Sequence, residues 1–275
     1  MTKTKAILML VAAGIMWSLG GLLIKSINWS PLAISGLRSI VAAAIIYIFG
    51  DINNFKFKII EIISAFFYVI VVTLFVLANK YTTAGNAILL QYTAPIYVAI
   101  FGYVFLKERA YLIDWFTICL LLVGLSFFFF DELSIDGLLG NIFAIVSGIS
   151  FAGLTILLRK QKAGDPIRSI FLGNIFAFIL GLPEIYSSTT SDIVPWALVL
   201  VLGIVQLGFS YILFTNAIKH VSALDAIIYP VIEPILNPIL VFLFIGERLG
   251  SWSLIGGVLV VGSVLIRGLF QIRRS

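Results

Sequence analysis

Apolar residues run along this chain in stretches of roughly 20, the length of helix that crosses the hydrocarbon of a bilayer. Short polar or proline-bearing breaks separate the stretches, as at Asn28 to Pro31, Asp51 to Lys58 and Arg159 to Arg168. The pattern predicts ten spans, near 6–25, 32–50, 60–79, 83–106, 112–130, 138–158, 167–187, 194–217, 223–245 and 251–268. The first is read as a mature helix and not a cleaved signal, because it is long, carries Trp17 and Gly20-Gly21, and meets no small-x-small site.

The ninth stretch breaks its own apolar pattern. Between Ala217 and Arg248 it holds Asp225, Glu233, Asn237 and three prolines, Pro230, Pro234 and Pro238. A weaker copy lies 139 positions earlier, with Lys80/Lys219, Ala84/Ala223, Pro95/Pro234 and Glu108-Arg109/Glu247-Arg248 in register. At an offset of 134, Gly14 and Trp17 match Gly148 and Phe151, and Lys25 matches Arg159. An apolar composition alone would not align prolines and charged pairs, so the chain is read as an internal duplication. Its halves are 1–133 and 134–275, with five spans each. An odd number of spans turns the second half upside down relative to the first. The expected fold class is therefore an all-α integral membrane protein, ten transmembrane helices forming two inverted five-helix repeats.

Composition agrees. The chain is 61% hydrophobic and 11% charged, against about 25% charged in a soluble domain. The net charge of +5 does not point to nucleic acid, since the basic residues sit between spans. Most of them fall in loops on the side of the N-terminus, among them Lys3, Lys56, Lys107, Arg159 and Arg267. By the positive-inside rule both termini are expected in the cytoplasm, in a multi-pass protein of the cell membrane whose first partner is the lipid bilayer. The lone Cys119 is expected as a packed small apolar residue, and it permits no internal disulfide.

These features carry a resemblance. The Trp17-Ser18-x-Gly20-Gly21 run, the Leu37-Arg38-x-x-x-Ala42 run and the paired Pro…Glu-Arg segments in a five-plus-five arrangement resemble the EamA-type drug/metabolite transporter superfamily. The resemblance covers nearly the whole chain. It implies transport of small metabolites, often amino acids, through a cavity framed by spans 1, 3, 4, 6, 8 and 9, with export the commoner direction.

The candidate chemistry lies in the spans. Asp225, Tyr229, Glu233 and Asn237 are four apart and form one slowly drifting polar stripe. Each proline beside them lacks an N–H and frees the carbonyl four residues earlier, which hydrocarbon tolerates only where protein or water re-satisfies it. The ninth span should therefore be bent and line a cavity, with Pro95, Pro230, Pro234 and Pro238 as helix-breaking or gating positions. Glu233 either contacts an ammonium-bearing substrate or a proton, or serves as a structural partner of Arg38 or of the freed backbone. Its counterpart in the first copy is Ala94. Arg38 is expected to be a structural charge near the outer face, its stem snorkelling outward. Asp225 reads as part of a helix cap that starts at Ser222, mirrored by Thr83 and Asn86. Trp17, Tyr92, Tyr211 and Tyr229 are expected to form an aromatic wall. Gln91 and Gln206 are buried amides that bond either to other helices or to substrate.

Neither a metal-ligand spacing nor a phosphate-binding glycine loop is present, so no metal, no cofactor, no ATP and no enzymatic reaction are expected. The function expected is a secondary transporter of a small-molecule substrate, an amphipathic metabolite such as an amino acid, that works by alternating access as an exporter. The alternative is a proton-coupled multidrug or organic-cation exporter. Protons are the candidate coupling ion, and the assembly is expected to be a monomer or homodimer.

Overall fold

The computed structural model describes residues 1–52, 55–130, 137–245 and 252–272, with side chains for all of these except 237–238, 241–245 and 271–272. Every regular element among them is helical. Ten rods follow one another: α1 Lys3–Lys25, α2 Pro31–Phe49, α3 Ile59–Tyr81, α4 Ala84–Leu106, α5 Leu112–Phe128, α6 Leu138–Lys160, α7 Ile167–Ser188, α8 Ile193–Ile218, α9 223–245 and α10 Ser253–Ile272. Among the described residues eight are long and apolar enough to cross a bilayer, and α5 is a shorter apolar helix. Large apolar side chains such as Phe66, Phe101, Val104, Phe116, Leu180, Val258 and Leu265 face outward. In water they would make an aggregating surface; in lipid they are at home. This is a multi-span membrane protein.

The ends of the rods follow local chemistry. Thr83 and Ser222 cap α4 and α9, their hydroxyls accepting the N–H of Asn86 and Asp225 at 3.1 and 3.0 Å. Pro31 opens α2, where a missing N–H costs nothing. Ends shift by a few residues from the apolar pattern: α5 ends at Phe128, and α10 runs on to Ile272, which places Arg267 more than a turn inside the helix.

Four rods are interrupted. α1 breaks at Ser18. α4 splits into α4a, Ala84–Gln91, and α4b, Ala94–Leu106, with Pro95 starting the second piece. α9 splits into α9a, Ala223–Ile228, and α9b, Ile232–Ile245, around a 3₁₀ turn from Tyr229 to Val231. α8 has no proline, yet carries a π-helical stretch over Leu202–Phe209.

The packing repeats with the sequence. α2 lies on α7 and α5 on α10, each the counterpart of the other at the start or end of a half. α3 packs on α6 as α8 packs on α1, and α4 meets α6 as α9 meets α1. Two equivalent glycines set the last pair. A Cβ on Gly14 would stand 2.6 Å from the carbonyl oxygen of Pro230, and one on Gly148 would stand 2.7 Å from that of Gln91. Gly14 corresponds to Gly148 at offset 134, and Gln91 to Pro230 at offset 139. Each half thus presses a glycine of its first helix onto the break in the other half's fourth, a reciprocal contact of the kind a two-fold axis produces. Glycines also let α2 approach α7 closely, where a Cβ on Gly36 would meet Gly181 Cα at 3.0 Å.

Candidate functional site

The breaks in α4 and α9 converge at the middle of the bundle. Pro234 cannot donate to the carbonyl of Pro230, which therefore needs another donor. Tyr92, at the break in α4, supplies it: its hydroxyl lies 3.1 Å from Pro230 O and 2.9 Å from Glu233 Oε2. One phenol thus reaches both the freed carbonyl and the Glu233 carboxyl.

Five of the residues expected in the site, Trp17, Gln91, Gln206, Tyr211 and Glu233, line one buried cavity of about 40 Å³. Arg38 lines it too, together with Phe75 and Phe151. The stem of Arg38 does not reach out of the bundle: the residue is 1% exposed. One guanidinium nitrogen donates to Gln206 Oε1 at 3.0 Å and another to Val72 O at 2.7 Å. Its Nε has no partner among the described residues. The π turns in α8 hold Gln206 where that bond can form, and π segments are frequent at functional sites. Gln91 donates to Ser147 Oγ at 2.8 Å, which in turn donates to Val71 O at 3.1 Å, so each amide also ties two helices together.

Glu233 and Arg38 are two buried opposite charges on one cavity, and no ion pair joins them among the described residues. The acid is held by Tyr92 and the base by Gln206 and Val72. In a low-dielectric interior each keeps a strong attraction for a complementary group.

The expected aromatic wall divides. Trp17 packs at a tilt against Tyr211 and Phe214, ring centres 5.3 Å apart in each case, and meets Phe151 edge-on at 5.8 Å. Tyr68 joins Tyr211 at 5.0 Å and bonds Asn174. Tyr92 instead turns to Glu233, and the ring of Tyr229 lies 5.9 Å from the guanidinium of Arg267. Pro95 and Pro234 start α4b and α9b, and Pro230 sits in the 3₁₀ turn. The side chains of Asn237 and Pro238 lie outside those described.

A second charged group was not foreseen. At the end of the bundle that carries Lys3, Arg267 of α10 is 2% exposed. It donates to Asp114 at 2.7 Å and to Asp225 at 2.6 Å, and Lys3 lies 3.8 Å from Asp225. Beside it Glu108 pairs with Arg159 at 2.8 Å and accepts the Ala223 N–H at 2.8 Å. Arg159 also donates to the carbonyls of Ile218 and Lys219. Asp225 does sit in a Ser222-capped turn, but its carboxylate reaches Arg267. Lys3, Glu108, Asp114, Asp225 and Arg267 border a cavity of about 610 Å³. The signal was available: Asp114 and Arg267 are opposite charges near the same predicted ends of two apolar stretches. His220 is exposed in the turn between α8 and α9. Slight desolvation, with positive charge from the N-terminal amine, Lys219 and Arg159, holds its pKa below the usual histidine value. Cys119 is exposed on the outer face of α5 and is not packed.

Comparisons with known proteins agree with this architecture. The pattern of the EamA-like transporter family matches twice, over residues 4–130 and 138–268. An uncharacterized transporter of Archaeoglobus fulgidus is 30% identical over 205 residues, 74% of this chain and 73% of that protein. The pseudopaline exporter CntI of Pseudomonas aeruginosa is 25% identical over 184 residues, 64% of this chain and 63% of its own length. A solved crystal structure shares the fold with a TM-score of 0.81 at 17% identity, over 99% of each chain. With two matched copies covering nearly all of its residues, the chain belongs to the EamA-like transporter family.

Proposed function

We propose that the protein is a secondary transporter of small amphipathic metabolites, amino acids or related zwitterions, and that it moves them by alternating access through the central cavity. One observation carries the reading: Arg38 and Glu233 border the same buried cavity while each is held by a neutral partner instead of by the other. A zwitterion brings both complements, a carboxylate for the guanidinium and an ammonium for the acid. Trp17, Phe75, Phe151 and Tyr211 offer an apolar surface for the remainder. At about 40 Å³ the cavity is contracted, since metabolite sites run to about 300 Å³ or more. Binding therefore requires the halves to part, which two pseudo-symmetric modules meeting at broken helices are suited to do.

Export is the direction that the exporter among the relatives supports, and the basic loops support a cytoplasmic side for both termini. The test uses the purified protein in liposomes with three labelled solutes: an amino acid, its decarboxylated amine and its N-acetyl acid. The zwitterion should be carried best, and Glu233→Gln and Arg38→Gln should each lower its rate about tenfold, the scale of losing a charged hydrogen bond. Wild-type rates in both variants would refute the site. Carriage of the amine alone, with proton counterflow lost in Glu233→Gln and unaffected in Arg38→Gln, would establish the organic-cation alternative.

A further inference from the structure

We infer that Asp225 is the release point of an inner gate whose moving piece is the half-helix α9a; this rests on the reading that the central cavity is the transport site. Two cavities border this segment's surroundings. The larger, about 610 Å³, is bordered by Leu224, Asp225 and Arg267, and the smaller, about 40 Å³, by Trp17 and Tyr211. Tyr229 stands between them: it packs in one core with Trp17 and Tyr211, and its ring faces Arg267. α9a leads directly into Tyr229.

The two carboxylates on Arg267 are anchored differently. Asp114 belongs to unbroken α5, which packs along α10, and its other oxygen accepts the Tyr111 N–H at 2.7 Å. The Asp114–Arg267 pair therefore joins two elements already fixed side by side. Asp225 rides on six residues cut off from α9b by the 3₁₀ turn, where Pro230 and Pro234 interrupt the ladder of backbone bonds. A second cation near it is Lys3, whose side chain is 53% exposed.

This asymmetry makes the contact separable. If α9a swings about the break, Asp225 leaves Arg267, and Ala223 N–H leaves Glu108. Arg267 keeps Asp114, so no buried cation is stranded, which is the usual penalty for breaking a buried pair. Glu108 keeps Arg159. Asp225 moves toward the larger cavity, and Tyr229 is drawn out of the core it shares with Trp17 and Tyr211, opening the smaller cavity toward the Lys3 side.

The experiment reads accessibility, so it stands whether or not amino acids prove to be the cargo. In full-length protein with Cys119→Ala, Leu207→Cys places a thiol on the central cavity. A membrane-impermeant maleimide is offered from each side of sealed vesicles. Asp225→Asn should speed labelling from the Lys3 side about tenfold, the scale of a lost charged hydrogen bond, and Asp225→Glu should restore the parent rate. Lys3→Ala, a change at an exposed residue, should act in the same direction to a smaller extent. Asp114→Asn should lower the melting temperature without a side-specific gain in labelling. Parent-like labelling in both Asp225→Asn and Lys3→Ala would overturn the proposal. So would an equal gain in Asp114→Asn and Asp225→Asn, which would mark a structural cluster with no gate.

Discussion

Tyr92 and Glu233, 141 residues apart in sequence, meet at 2.9 Å, and the same phenol reaches the carbonyl that Pro234 leaves without a donor. Two defects of the broken ninth helix share one remedy, and it comes from the other half of the molecule. Tyr92→Phe removes only the hydroxyl. It should cost about 1–3 kcal/mol, the range for leaving a buried polar group unsatisfied. A melting temperature several degrees lower in detergent, with the helical content intact, is the expected result.

Gly14 and Gly148 make equivalent contacts, so their alanine variants should be destabilised to similar degrees. Overpacking of this kind costs about 1–3 kcal/mol. Gly262 is the control, because a Cβ there meets nothing within 4 Å. Thermal unfolding of Gly14→Ala, Gly148→Ala and Gly262→Ala, side by side, should show two lowered transitions and one unchanged.

Trp17 touches three aromatic rings at the cavity wall. Trp17→Ala should cost about 3–5 kcal/mol, as large aromatic truncations in cores do, whereas Trp17→Phe should keep most of the stability. In liposomes the phenylalanine variant should retain transport and accept bulkier solutes. Competition by a graded series of side-chain sizes measures this.

Cys119 lies on the outer face of a helix read as lipid-facing. A charged maleimide should leave it unmodified in intact proteoliposomes and label it fully after denaturation in detergent. Rapid labelling of the native protein would place this face of α5 in water.

The helical architecture was legible because lipid imposes a blunt requirement: each crossing needs a long apolar run, and these runs survive in the sequence. The breaks in α4 and α9 were legible through Pro95 and Pro234, whose missing N–H groups have the same effect in any context; those in α1 and α8 carry no proline and were not. Arg38 was harder. Its environment depends on Gln206, 168 positions away, and on a π segment that no local residue type announces. The Arg267 group was obscured for another reason. An arginine about a turn and a half from a helix end has the spacing of an ordinary positive-inside residue, and Asp114 has that of an ordinary cap. Only their juxtaposition across 153 positions distinguishes them.

Glu233 has Ala94 as its counterpart, so the scaffold repeats but its acid does not. On the proposed transport reading, a guest in the middle of such a frame has one heads-up pose and no equivalent heads-down one. Whichever doorway opens, it meets the same end of the guest as on every earlier cycle. Arrival and departure are therefore chemically different events, and a carrier of this kind has no reason to run equally well in both directions.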